Sequence, residues 1–222
     1  MKLSEIFDQL SYGELAQISM GGVGDSGINE SNWERILASV NLGLTELHSR
    51  FLLKEGTVIV PLVSGTSTYV MNGAAIPQGD LLKIERVYDA EGVELPLNAG
   101  GNSYDPLYIG CKTPNYNTLV VPPAVTAGPL TVVYRARHPT IVKELGYFAA
   151  DQVEVELPES HLNALLMFVA SRIMNPIGMN QEFHEGNNYA AKFEQACLLL
   201  EQHNLRVDVV EENSRLYRNG WV

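Results

Sequence analysis

Apolar positions recur at spacings of three and four at both ends of this chain, and in short β-branched runs through its middle. Leu3, Ile6, Phe7 and Leu10 share one helical face and predict a short helix over residues 3–10. Ser11 and Glu14 have capping-box spacing, which predicts a second short helix starting there. A glycine-rich loop follows at 21–27. Asn32 is placed to cap the next helix. Along it Trp33, Ile36, Leu37, Val40, Leu44, Leu47 and Phe51 fall within about 60° of a common direction. Burying each contributes roughly 1.5–3 kcal/mol, so this helix requires a facing surface. Gly56 is read as its end.

From residue 57 the period changes. Thr57, Val58, Ile59 and Val60 are β-branched or strand-favouring and predict a strand. Residues 81–88 predict another, with Asp89-Ala90-Glu91-Gly92 as a turn into Val93-Glu94-Leu95. Leu119-Val120-Val121, stopped by Pro122-Pro123, and residues 130–136 complete the strong strand signals. The stretch 99–117 is rich in Asn, Tyr and Gly and reads as a surface loop. The middle as a whole predicts a small antiparallel sandwich or barrel of about five to seven strands.

Residues 153–157 alternate like a strand edge, and Pro158 suits the first turn of a helix. Leu162, Leu166, Val169 and Ile173 form the stripe predicted to be buried on that helix, which Asn175-Pro176 stops. A last helix spans residues 180–203, with Phe183, Ala190, Phe193, Cys197 and Leu200 inward and Asn204 as its left-handed cap. Residues 205–210 suggest a short strand, and 211–222 show no periodicity. Neither helical block can bury its apolar face alone. The two ends therefore fold together, and the β stretch is an insertion.

Charge changes the picture. Fifteen Lys and Arg stand against 26 Asp and Glu, a net charge of −11. Such a chain repels nucleic acid, because phosphate neutralisation needs a cationic face, and disfavours anionic membrane surfaces. The longest apolar run, 164–170, is far short of the roughly 20 residues that cross a bilayer. No secretion signal is visible. The two cysteines, Cys111 and Cys197, lie in different blocks and suit a reducing compartment during folding.

Candidate chemistry is sparse. Gly22-Val23-Gly24-Asp25-Ser26-Gly27 spells G-x-G-x-x-G, but a helix precedes it where a dinucleotide loop needs a strand, so it reads as a hinge. Ile28 stands where a phosphate-binding loop would need Lys. His48, His138, His161, His184 and His203 form no i, i+4 pair and no Cys/His cluster, and read as surface or cap residues; no metal and no cofactor are expected. Glu154 and Glu156 share a strand face and read as a solvated acidic edge. No nucleophile elbow or triad order is present, so no catalytic residue is assigned. The last segment carries Arg215, Leu216, Tyr217, Arg218 and Trp221. Of these, Trp, Tyr and Arg are the residue types that anchor interfaces. The segment reads either as a docking peptide or as a solvated end.

Several stretches carry a family resemblance: Leu10-Ser11-Tyr12-Gly13-Glu14-Leu15, Leu44-Thr45-Glu46-Leu47-His48-Ser49-Arg50-Phe51, Ala170-Ser171-Arg172-Ile173-Met174-Asn175-Pro176, and Glu185-Gly186-Asn187-Asn188-Tyr189-Ala190-Ala191-Lys192-Phe193-Glu194. Together they resemble head-to-tail connector (adaptor) proteins of short-tailed bacteriophages. The resemblance covers both helical blocks, and the β middle matches in placement only. It implies a homo-oligomeric ring, usually of twelve copies, beneath the portal of a DNA-filled capsid. Such a ring continues the DNA channel and offers a platform to the tail nozzle protein, with its C-terminal segment reaching the portal. It also implies a virion protein assembled in the bacterial cytoplasm, past which DNA slides without tight binding.

The expected fold is α+β: a helical bundle from the N- and C-terminal blocks with an inserted antiparallel β-sandwich or barrel. The expected division is 1–56 and 153–210 as the helical body, 57–152 as the β domain, and 211–222 as the docking tail. Two other functions stay open. One is a virion-associated peptidoglycan hydrolase using carboxylates, and the other is a carbohydrate- or receptor-binding module on the β insertion.

Overall fold

The computed structural model describes residues 1–16, 28, 32–71, 76, 80–99, 110–126, 128–143, 147–174 and 181–203, with only the backbone described at 147–148 and 181–185. Four helices and seven strands are present among them: α1 Leu3–Tyr12, α2 Trp33–Arg50, β1 Glu55–Val60, β2 Thr68–Val70, β3 Leu81–Tyr88, β4 Glu94–Leu95, β5 Lys112–Asn115, β6 Thr118–Val120, β7 Leu130–Ala136, α3 Leu162–Ile173 and α4 Gln181–Gln202. Two short 3₁₀ turns, Tyr147–Gln152 and Glu159–His161, precede α3.

The apolar stripe of α1 is buried as expected, and its first turn is closed by the Lys2 amide donating to Glu5 Oε2 at 2.9 Å. The helix runs on to Tyr12, and the second helix expected from Ser11 does not form. Gly13 and Leu15 turn back onto the Gln9 and Leu10 carbonyls instead. Ser11 Oγ, rather than capping a helix, accepts from the Ile28 amide at 3.2 Å.

In α2 the positions Ile36, Leu37, Val40, Leu44 and Leu47 are buried. Asn32 precedes its first turn, its carbonyl accepting from the Arg35 and Ile36 amides. The helix ends at Arg50, six residues before the expected stop, and Gly56 lies inside β1. Gly56 is needed there because a Cβ would collide with the Tyr134 ring. Gly43 serves close approach in the body: a Cβ would fall 2.7 Å from Leu165 Cδ1 and 2.9 Å from Phe168 Cδ1 of α3.

The strands form two antiparallel sheets, ordered β1-β7-β3-β4 and β2-β6-β5. They do not close into a barrel. β1 and β7 pair in unbroken register from Glu55↔Arg135 to Val60↔Leu130. Both sheets contribute to one core, which includes Val58, Met71, Ile84, Val87, Leu119, Leu130, Val132 and Tyr134. The turn at Asp89 forms as its composition predicts, with Asp89 Oδ1 accepting from the Glu91 and Val93 amides. The stretch read as a surface loop contains β5, with Pro114 on an edge strand where its missing N–H is harmless.

A second, separate core gathers α1, α2, α3, α4 and the extended residues Val153, Val155 and Leu157. The alternation at 153–157 is real, and it pairs with the chain's first residues rather than with a sheet. The Leu3 amide donates to the Val153 carbonyl at 3.0 Å, and the Val155 amide to the Met1 carbonyl at 2.8 Å. The helical ends thus fold together around a shared core, with the β stretch inserted between them.

Two assignments within the body shift. On α3 the expected stripe of Leu162, Leu166, Val169 and Ile173 is only partly the buried face: Leu162 and Leu166 are half-buried, and Ala164, Leu165, Phe168 and Ala170 are buried. A single stripe assumes one covered side, whereas α3 packs against both α2 and α4. On α4, Phe193, Cys197 and Leu200 point inward with Ala196, while Ala190 is exposed. Phe168 and Phe193 meet edge to face at 5.3 Å between centroids. The side chain of Phe183, the stop at Asn175-Pro176, the cap at Asn204 and the strand at 205–210 lie outside the described residues.

The two cores are joined by Arg135 on β7. Its Nε donates to Glu85 Oε1 at 2.7 Å, and its Nη1 to the Ser49 carbonyl at the end of α2 at 2.6 Å. Arg135→Met removes both bonds and leaves Glu85 without this partner. Removing one member of such a buried pair costs roughly 3–5 kcal/mol. We expect urea unfolding at neutral pH to show a destabilisation of that order, partly restored in Arg135→Met/Glu85→Met; a change within error would overturn this role for Arg135.

Candidate functional site

The junction between the cores is where the described ionisable groups converge. α2 ends beside the start of β1, and β7 leads back into the body. Lys54, just before β1, pairs with Glu156 at 2.6 Å, and its carbonyl accepts from the Ala136 amide at 2.9 Å. Asn41 of α2 clamps the returning chain from both sides: its Nδ2 donates to the Ile141 carbonyl at 3.0 Å, and its Oδ1 accepts from the Ile141 amide at 2.9 Å.

Three histidines read as surface or cap residues are buried here instead: His48, at 0 % exposure, His138 and His161. The His48 and His138 rings lie 5.7 Å apart, edge to face, and His161 packs on Phe51 at 4.9 Å. His48 Nδ1 lies 2.8 Å from the Leu44 carbonyl. A carbonyl only accepts, so that nitrogen carries the proton, and the buried Nε2 has no hydrogen-bond partner. His138 uses both nitrogens: Nδ1 donates to the Pro139 carbonyl at 2.6 Å, and Nε2 accepts from the Glu156 amide at 3.1 Å. His48 stands one helical turn after Leu44 on the same apolar stripe, a signal that could have placed it inside. His138 follows a strand and carries no periodic signal.

Burial holds the His48 imidazole well below its ordinary value, at about 4, against the opposing pull of the Leu44 carbonyl. Burial likewise lowers His138 and His161. Burial pushes both thiols, Cys111 and Cys197, up to about 11, which suits packing rather than nucleophilic chemistry. The Lys54 ammonium holds the Glu156 carboxyl below the usual range, opposite to what a general acid needs. Among the described residues no group of three or more His, Cys, Asp or Glu is placed to hold a metal. No described helix is long and apolar enough to cross a membrane.

Two clefts among the described residues do not coincide with the histidines. One, of about 510 Å³, is lined by Leu62, Tyr69, Val121 and Pro122 in the β unit. The other, of about 360 Å³, lies among Phe168, Arg172, Gly186 and Phe193 of the body. Glu154 and Glu156 are both exposed, as a solvated edge requires. The glycine-rich hinge at 21–27, His184's side chain, and the candidate docking residues Arg215, Leu216, Tyr217, Arg218 and Trp221 lie outside the described residues.

A family model described as SU10 adaptor protein matches residues 11–212, spanning both helical blocks and the β insertion. No curated protein matches the chain.

The buried histidines set a pH dependence with a definite sign. Their folded-state values lie below the ordinary 6.5, so on acidification the unfolded chain takes up protons first. Stability is full above pH 6.5 and is lost as pH falls toward 4. Each such histidine contributes up to about 1.4 kcal/mol per pH unit within that window. Urea midpoints should fall between pH 6.5 and pH 5, before the carboxylates protonate, and fall less steeply in His48→Leu. Midpoints that stay level across that interval would contradict this assignment.

Proposed function

The chain belongs to the SU10 adaptor protein family, and on that footing we propose that it is a structural, non-enzymatic component of a bacteriophage particle. In this reading it forms a homo-oligomeric ring, of about twelve copies by resemblance to such connectors, between the portal and the tail. The ring continues the DNA channel and carries the tail nozzle protein. The family match across both helical blocks carries the reading.

Three physical features support it. The net charge of −11 lets DNA slide past without adhering. The body is built from packed helices around a core of its own, and the β unit has a second core that can present a separate surface. The C-terminal Arg215, Leu216, Tyr217, Arg218 and Trp221 supply anchor chemistry for a portal subunit: Trp221 offers large apolar area, and the arginines offer bidentate pairing with carboxylates. A ring multiplies a modest affinity per tail by avidity. For this role the chain divides into a helical body (1–56 and 153–210), an inserted β domain (57–152) and a docking tail (211–222).

Mixing the purified chain with portal-bearing capsids tests the reading. The full chain should attach, and a chain lacking 211–222 should fold normally and fail to attach. Equal attachment of both would remove the tail as anchor, and no attachment of the full chain would remove the portal reading. The free protein should also show no salt-sensitive retardation of duplex DNA at micromolar concentration, since phosphate binding is steeply salt dependent. Such retardation would overturn the sliding-channel account.

A further inference from the structure

The extended segment 153–157 is held along both edges. Val153 and Val155 turn one edge to the chain's first residues: the Leu3 amide donates to the Val153 carbonyl at 3.0 Å, and the Val155 amide to the Met1 carbonyl at 2.8 Å. In extended chain the next residue's backbone groups point the opposite way. On that side the Glu156 amide donates to Nε2 of His138 at 3.1 Å. His138 stands two residues past β7, on the segment that returns from the β unit to the body. An imidazole nitrogen therefore takes the place of a neighbouring strand's carbonyl at this seam.

An amide carbonyl takes up no proton near neutral pH, whereas an imidazole does. His138 Nδ1 donates to the Pro139 carbonyl at 2.6 Å, so the lone pair left to the ring is the one that holds the Glu156 amide. A second proton, on Nε2, turns that acceptor into a donor and sets two N–H groups face to face. His48 and His161 differ: among the described residues their buried Nε2 atoms have no hydrogen-bond partner, so a proton there breaks no bond. Ionisable groups face His138 from the segments around it. The Glu156 carboxylate, on 153–157, is paired with Lys54, which precedes β1. His48 faces it from α2, with ring centroids 5.7 Å apart. The Met1 ammonium lies on the far edge of the extended segment, on the Val155 carbonyl. Lys54 holds Glu156 below the usual carboxylate range and burial holds His48 at about 4, so both largely keep their charge states between pH 6.5 and 5.

We propose that His138 is a proton-operated latch: one proton on Nε2 releases the segment 153–157 from the returning chain and loosens the β unit on the helical body, while both cores stay folded. Other ties across the joint do not titrate in this range. Arg135 keeps the Ser49 carbonyl, and Asn41 keeps both backbone groups of Ile141. They confine the opening to the seam at His138. Its sign follows from burial and from the bond. Burial lowers the His138 imidazole, and a bond that only the neutral form makes acts in the same direction. The latch is therefore closed above pH 6.5 and opens as pH falls below it, because the open state binds the proton more tightly. One proton shifts the opening equilibrium by at most about tenfold per pH unit. The latch is a property of the single chain and is independent of the ring reading above.

Amide hydrogen exchange of the full chain, followed by NMR and corrected for the pH dependence of intrinsic exchange, reads the latch. At pH 5 the Glu156 amide should be at least about tenfold less protected than the amides of Leu44 and Val132, one from each core, because it exchanges through a local opening. Its protection should fall by up to about tenfold per pH unit between pH 6.5 and 5, with the midpoint at which the His138 ring protons titrate. His138→Gln offers a carboxamide oxygen where Nε2 stood and takes up no proton, so the Glu156 amide should stay protected and this fall should vanish. His48→Leu should leave the fall in place. Protection of Glu156 equal to that of Leu44 and Val132 would mean global unfolding alone and overturn the latch, as would a Glu156 amide indifferent to pH. A fall that survives His138→Gln, or disappears in His48→Leu, would overturn it too. The wild-type measurements decide the outcome even where His138→Gln fails to fold.

Discussion

The Arg135 guanidinium ties the β unit of this molecule to its helical body. Arg135 sits on β7, whose alternate residues Val132, Tyr134 and Ala136 enter the β core, so its own side chain faces the other way, toward α2. There it serves two acceptors at once, a carboxylate of β3 and the carbonyl of Ser49. The last carbonyls of a helix lack intrahelical partners and carry its negative partial charge, so a cation there satisfies both needs. Lysine could not reproduce this, because its donors diverge from one point and do not form a planar fork. Once β7 is registered against α2 in this way, the positions of Lys54, His138 and Ile141 follow from the chain's length.

The histidines of the junction beside it are buried. His48 and His138 are held neutral with their protons on Nδ1, and Asn41 pairs an amide side chain with a backbone amide and carbonyl as a strand would. The polar groups that satisfy this region are uncharged, apart from the Arg135 and Lys54 ion pairs at its margin. A neutral, hydrogen-bonded joint resists salt better than one made of exposed ion pairs.

Much of this was legible in the sequence, for identifiable reasons. The stripe on α2 and the strands β3 and β7 follow from periodicity, because each has one clear face or a continuous buried run. Family membership was legible in the habits of both helical blocks. What escaped has physical causes too. α3 is covered on two sides, so no single stripe described it. Ser11 spent its hydroxyl on the Ile28 amide, so the capping-box spacing had no helix to start. The buried histidines escaped because neutral imidazole is a good core residue when its donor finds a carbonyl, which spacing shows for His48 but not for His138.

The unbroken register of β1 with β7 has an evolutionary reading. The chain leaves the helical body on one strand and returns on its immediate neighbour, Glu55 opposite Arg135. Adjacent strands hold those two points about 5 Å apart, whatever lies between them. The entropy of closing the intervening loop grows only logarithmically with its length. The β segment is therefore a cassette: it can lengthen, shrink or be exchanged for another between related particles while the helical body beneath it keeps its packing.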